Sequence, residues 1–341
     1  MSWTDYQTNQ TPDLPMRSDD VTTEQGAVTA ADPHPPPEAE DLAELAEQLL
    51  LPLPWLEEVD WLLNDRKAVI LTGPPGSGKT FLARALAEHY APGRNQFLQF
   101  HPSYSYEDFV EGYRPTTRDD GSLVYDIVPG PLRTAIEAAS GSSDLHAMVI
   151  DEINRANLSK VLGELFFALE YRDKPVRPQY QDVPLSIPSN LVFIGTMNTA
   201  DRSIASFDSA LRRRFHFVEC DPLVAPFNGL LGRYLTHHGL SSMDWLADLL
   251  RRANERVPDP SYSIGPSHFM RPQITREEAA RIWAHSVWPY LASRFDSEAI
   301  ADLRWDNLYS ATVGAVPAED EAEEPVTALE NEDADDDITA E

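Results

Sequence analysis

The chain is short of cysteine, of positive charge and of long apolar runs, and each shortage removes a class of protein. A single cysteine, Cys220, stands in 341 residues, which excludes a disulfide framework and any cysteine-rich zinc site. It follows the apolar run Phe215–Val218 and reads as a small packed side chain rather than a nucleophile. No uninterrupted apolar run approaches the roughly 18 residues that a membrane-crossing helix needs. The first residues also lack the charged-then-apolar order of a secretory signal. We therefore expect a cytoplasmic protein without membrane contact.

Lys and Arg number 27 against 56 Asp and Glu, for a formal charge of −29. That deficit is uneven. Residues 1–47 hold 11 acids and one base, Arg17, and residues 317–341 hold 12 acids and no base. The two ends carry −22 of the −29, so the acidity does not exclude a basic surface on the folded part. Pro33, Pro35, Pro36 and Pro37 in the first tail and Asp335–Asp337 in the last give both the composition of disorder. They serve as solvating spacers or, given Trp3 and Tyr6, as docking segments.

Between the tails the chain alternates. Apolar runs at Ala68–Leu71, Phe97–Phe100, Ala147–Ile150, Leu191–Thr196 and Phe215–Val218 read as buried strands. Helical spacing at Asp41–Leu51, Pro54–Asn64, Pro131–Ala139 and Leu158–Tyr171 falls between or before them. Non-alternating strands separated by helices predict an α/β fold with a mostly parallel sheet covered on both faces. Gly112, Pro115 and Asp119-Asp120-Gly121 mark a hairpin or loop insertion over residues 104–125. After Pro222 only helices follow, at Leu230–His238, Ser242–Arg256 and Arg276–Phe295. The expected organisation is a tail over 1–45, an α/β domain over 46–220, a small all-helical domain over 221–308 and a tail over 309–341.

The most specific chemistry lies in Gly73-Pro74-Pro75-Gly76-Ser77-Gly78-Lys79-Thr80, between the first strand and a helical run. The glycines let backbone N–H groups curl around a di- or triphosphate at a helix N-terminus. Lys79 reaches the β/γ-phosphates and the Thr80 hydroxyl is placed for Mg²⁺. About 70 residues later the strand Ala147–Ile150 ends in Asp151 and Glu152. A carboxylate there lies beside the phosphate loop, where Asp151 holds Mg²⁺ and Glu152 polarises the attacking water. The strand Leu191–Thr196 leads to Asn198, which either senses the γ-phosphate or caps the turn with Thr199 and Asp201. Arg212, Arg213 and Arg214 precede the last strand. They form either a solvated basic loop paired with Asp208 and Asp201, or a source of arginine for a neighbour's γ-phosphate.

The order of these motifs, with a helical segment after them, resembles an AAA+ ATPase. More narrowly, three stretches resemble the McrB family. These are Gln99–Pro115 (QFHPSYSYEDFVEGYRP), Asp151–Asn157 (DEINRAN) and Gly195–Ile204 (GTMNTADRSI). The likeness covers roughly residues 50–300, and Ile264–Met270 resembles the family's sensor 2 region less tightly. The resemblance implies a five-stranded AAA+ sheet with a helical lid, assembled as a homo-oligomeric ring, a hexamer. Nucleotide would sit between subunits, with Lys79, Thr80, Asp151, Glu152 and Asn198 on one side. Arg213 and Arg214, with Arg202 or Arg155, would come from the neighbour. It further implies hydrolysis of ATP or GTP with Mg²⁺, driving a McrC-like nuclease in DNA restriction and antiphage defence.

Two departures matter. The acidic, proline-rich N-terminal segment is unsuited to phosphate contacts, and no stretch is left for a nuclease. We expect DNA recognition and cutting to come from other chains. The alternative enzyme reading is a MoxR-like AAA+ chaperone that remodels a protein complex, mildly favoured by the acidity. A nucleotide-dependent scaffold is a third, although it would need none of Glu152, Asn198 or Arg213.

Overall fold

The computed structural model describes residues 39–172, 174–200 and 209–314. Most of both expected tails, together with Asp201, Arg202 and Asp208, lies outside the described residues. Two helices, α1 (Ala39–Leu49) and α2 (Leu53–Arg66), lead to strand β1 (Ala68–Gly73). The corner between α2 and β1 is one residue wide. Lys67 takes a left-handed conformation (φ 57°), and its N–H donates to the Leu63 carbonyl at 2.8 Å, so the helix ends and the strand begins at once.

Helix α3 (Lys79–Tyr90) follows the phosphate loop, and β2 (Asn95–Gln99) follows α3. A short helix α4 (Tyr106–Phe109) opens an antiparallel hairpin, β3 (Glu111–Thr117) with β4 (Leu123–Pro129). The insertion therefore reaches further than residue 125. Its base is fixed by a buried ion pair between Glu111 and Arg133, the latter on α5 (Pro131–Ser140).

β5 (His146–Asp151), the short helices α6 (Leu158–Leu162) and α7 (Leu165–Ala168), β6 (Leu191–Asn198), α8 (Ser209–Arg214) and β7 (His216–Glu219) complete the domain. The sheet order is β2-β5-β6-β1-β7 and every pairing is parallel. Alternate residues of the central strands feed two separate cores, as burial on both faces requires. Val69, Leu71, Val149 and Ile194 join α3 on one side. Ile70, Met148, Ile150 and Phe193 join α5 and α6 on the other.

The single helix expected over Leu158–Tyr171 is broken. Gly163 adopts φ 52°, and a Cβ there would meet the Tyr106 ring at 3.0 Å, so the turn takes a glycine.

The helical region comprises α9 (Leu230–His237), α10 (Asp244–Asn254), α11 (Arg276–Ile282), α12 (Trp288–Ala292) and α13 (Trp305–Val313). Between α11 and α12, Trp283–Val287 forms a π-turn instead of continuing the α-helix. Pro289 explains it: with no N–H it cannot donate to the carbonyl four residues back, and a widened turn absorbs the mismatch.

Helix α13 runs past residue 309, where the C-terminal tail was expected to start. Leu308 is fully buried, and the Tyr309 and Trp245 rings meet edge-on at 5.1 Å, so tertiary packing extends the order. The lid helices share one continuous core with α1, α2 and α3. Among the described residues no helix is long and apolar enough to cross a membrane.

Arg172 closes the end of the sheet opposite the phosphate loop. It donates to the carbonyls of Pro188 (3.1 Å), Leu191 (2.6 Å) and Lys67 (3.1 Å), tying the starts of β1 and β6 together. Arg172→Ala leaves three carbonyls without this donor and is expected to cost about 3 kcal/mol. Urea denaturation should show a lowered midpoint at unchanged slope.

Candidate nucleotide site

The phosphate loop takes its shape from glycines at positive φ, with 155° at Gly73, 75° at Gly76 and 92° at Gly78. At Gly73 the constraint is also steric, since a Cβ would lie 2.4 Å from the Cys220 carbonyl oxygen. Gly78 caps α3, so the first N–H groups of that helix face the loop. Lys79 is buried against the loop and its Nζ donates to the Pro74 carbonyl at 2.7 Å. Burial lowers its pKa from 10.5 to about 8, while Cys220, Glu152 and Asp151 pull it back up.

The strand ends bring the expected partners to this loop. The Thr80 hydroxyl donates to Asp151 Oδ1 at 2.7 Å, and the Thr196 hydroxyl donates to the same oxygen at 2.6 Å. Thr196 Oγ1 also accepts the Glu152 N–H at 3.1 Å. One threonine thus fixes both acids. Glu152 has a left-handed backbone (φ 53°), a costly conformation for a side-chain-bearing residue. Its carboxylate accepts from Asn198 Nδ2 and lies 3.4 Å from Arg155 Nε. The Asn198 amide is therefore turned toward the acid, and the Thr199 N–H donates instead to the Gly73 carbonyl at 3.1 Å.

Thr80 and Asp151 offer hard oxygen donors side by side, which fits Mg²⁺, an ion held by one or two protein oxygens together with substrate phosphates and water. No group of three or more His, Cys, Asp or Glu suited to a metal exists among the described residues. A two-donor site needs none.

The lid closes the cleft from above. Gly265 packs backbone to backbone on the loop, for a Cβ there would lie 1.9 Å from the Gly76 carbonyl carbon. The Ser267 N–H donates to the Gly76 carbonyl at 3.1 Å. Asn254 holds this lid segment, accepting the Ile264 N–H at 2.6 Å and donating to its carbonyl at 3.0 Å. The resulting cleft of about 460 Å³ is lined by loop, strand-end and lid residues. Its size is that of a small-molecule site.

Pro75, Gly76, Gly78, Lys79, Thr80, Glu152 and Asn198 all line this one cleft. Arg155 joins through Glu152. Arg213 and Arg214 do not; they line a separate pocket with Lys67, Glu170 and Ser189. Arg214 Nη2 pairs with Glu170 at 2.9 Å and its guanidinium lies 4.1 Å from the Phe166 ring centre. Arg202 lies outside the described residues.

Sequence reasoning gave no role to Thr196 or Arg271 and reached His268 only within the sensor 2-like segment, and all three line the cleft. Strand periodicity could have found Thr196, which shares the face of Asn198 two residues on. Arg271, one residue beyond the sensor 2-like segment, carries no such local signal.

Residues 68–215 match the AAA domain of the dynein-related subfamily, and residues 245–299 match the McrB alpha-helical lid domain. The type IV methyl-directed restriction enzyme EcoKMcrB subunit of Escherichia coli K12 is 42% identical over 199 residues, covering 53% of this chain and 41% of that protein. The type II restriction enzyme BsuMI component YdiS of Bacillus subtilis is 27% identical over 243 residues, covering 58% of this chain and 71% of that protein. Human neuron navigator 2 is 24% identical over 284 residues, covering 76% of this chain but 10% of its own length. The chain thus spans less than half of the E. coli relative.

A buried Lys79 carries a testable cost. Its folded pKa lies below its unfolded value, so the charge opposes folding below pH 8 and ceases to as pH climbs toward 10.5. Nucleotide-free Lys79→Met is expected to be more stable than the native chain at pH 7, by on the order of 2 kcal/mol. Denaturation at stepped pH should show that gap closing above pH 8; a gap independent of pH would contradict the burial argument.

Proposed function

We propose that this chain, an McrB-type AAA+ protein by its α/β domain and its lid, is a ring-forming motor of a restriction system. In this reading residues 46–220 form the motor and 221–308 the lid, and the protein works in the cytoplasm. Six copies form a ring that hydrolyses ATP, with GTP as the competing substrate, and drives a McrC-like nuclease against DNA. Two relatives support the load assigned to it, one a subunit of a methyl-directed restriction enzyme and the other a component of a restriction enzyme. DNA is reached through partner chains.

The observation that carries the reading is the convergence of Thr80, Asp151, Glu152 and Asn198 on the phosphate loop. Gly73–Thr80 binds the phosphates, and the Lys79 charge finds its partner at their β/γ end. Thr80 and Asp151 would hold Mg²⁺, which neutralises phosphate charge when bound. Asn198 orients Glu152, and Glu152 takes a proton from the attacking water as its oxygen bonds to the γ-phosphorus. The bond to the diphosphate then breaks, leaving its electrons on the leaving oxygen.

The arginines act across the subunit boundary. They sit at the start of β7, while the phosphate loop leaves the far end of β1. Six residues of strand separate these edges by roughly 20 Å. That separation keeps Arg213 and Arg214 away from their own subunit's phosphates and supports their action on a neighbour's.

Glu152→Gln is expected to keep nucleotide affinity and to lower kcat at least ~100-fold. Phosphate release with ATP and with GTP, beside a binding titration, reads both; undiminished turnover would remove Glu152 from its role. Arg213→Ala and Arg214→Ala should assemble normally and hydrolyse poorly. Turnover stimulated by a McrC-like nuclease, with cleavage of methylated DNA by the pair, tests the load. Stimulation by a protein complex alone would favour a MoxR-like remodelling role.

A further inference from the structure

The last turn of α2 grips the arginine-bearing segment from three sides with α7's neighbour Glu170. The Arg66 guanidinium donates from Nη1 to the Arg212 carbonyl at 3.1 Å and to the Phe215 carbonyl at 3.2 Å. These are end carbonyls of α8 and the residue after it, groups that a helix cannot satisfy internally. Asp65 Oδ2 lies 2.7 Å from His216 Nε2. On the opposite flank Glu170 pairs with Arg214, whose side chain is only 12% exposed. The carbonyls of Arg212 and Phe215 and the side chains of Arg214 and His216 are thus held, while the side chains of Arg212 and Arg213 are exposed. A charge that must meet a phosphate on another subunit needs such a mount, because misplacement by about 1 Å can cost on the order of 100-fold in rate.

We infer that Asp65 and Arg66 are positioning residues for hydrolysis in the adjacent subunit. They hold the turn at 212–216 so that Arg213 projects across the boundary while Arg214 anchors it. The inference rests on the proposed action of these arginines in trans. Lys67 follows Arg66 directly and leads into β1 at Ala68, so the mount for the neighbour's site and the strand ending in this subunit's own phosphate loop form one continuous piece. Nothing in the sequence marks this pair, which reads only as the polar end of a helix.

Rings of mixed subunits test it. Glu152→Gln subunits keep an intact turn and lack a working site. Arg66→Ala subunits keep an intact site and lose the mount. Homogeneous Arg66→Ala rings are expected to show kcat lowered on the order of 10- to 100-fold, with KM for nucleotide and ring assembly unchanged. Arg66→Lys, which still donates to carbonyls, should recover part of the loss. Mixed with Glu152→Gln, the Arg66→Ala chain should regain turnover well above either homogeneous ring, as Arg213→Ala should in the same mixture. Damage confined to the subunit's own site would not be rescued in this way.

Native turnover by Arg66→Ala, or a defect that Glu152→Gln fails to rescue while it rescues Arg213→Ala, overturns the inference and leaves the trans arginine standing. If the Arg213→Ala mixture itself stays inactive, the trans reading falls and the positioning role falls with it.

Discussion

Everything at the nucleotide cleft depends on the parallel register of β5, β6 and β1. Gly73 lies opposite Asn198, and Ile150 opposite Gly195, so three strands end together on one edge of the sheet. That alignment delivers the phosphate loop, two acids and an amide to the same place from positions up to 125 residues apart. It is fixed by burial on both faces: a slip of one residue would exchange Val69 and Leu71 with Ile70 between two different cores. Thr196 then links the strand ends, donating a hydrogen bond to Asp151 and accepting the N–H of Glu152. The left-handed backbone at Glu152 is held by that bond and by the contacts of its carboxylate with Asn198 and Arg155.

The lid meets the loop by close backbone approach, beside the continuous apolar core it shares with α1, α2 and α3. Gly265 lies on Gly76 where no Cβ fits, and Ser267 donates into the loop. Each phosphate-loop glycine therefore answers to a different neighbour: Gly73 to Cys220, Gly76 to His268 and Gly265, Gly78 to the start of α3. Cys220 has its explanation here too. Its thiol is buried, with its pKa pushed up to about 12 by desolvation, and its carbonyl supports the loop.

Much of this was legible in the residues. The five strands, the helix after the loop and the inserted hairpin follow from runs of apolar residues and the glycines between them. The residues of the loop and the two strand ends were identifiable because each motif is contiguous and its chemistry is local. Expectation failed where distant packing decides. A helical pattern over Leu158–Tyr171 breaks because Tyr106 occupies the space beside Gly163, and α13 orders past residue 309 because Trp245 and a buried Leu308 hold it. The π-turn before Pro289 had a visible cause, the missing N–H, although its form depends on the lid core around Trp283.

Local spacing and residue type were enough to mark a phosphate loop, its acidic and amide partners and a run of three arginines. They left open whether Asn198 senses the γ-phosphate or caps a turn, and whether the arginines pair with Asp208 and Asp201 or reach a neighbour's γ-phosphate. The turning of Asn198 to Glu152 and of Arg214 to Glu170 came from the tertiary structure. That structure also put the arginines and the phosphate loop at opposite ends of the same sheet, which no local pattern encodes. The physical reason is common to all three: side-chain direction and strand register are set by burial against residues far away in the chain.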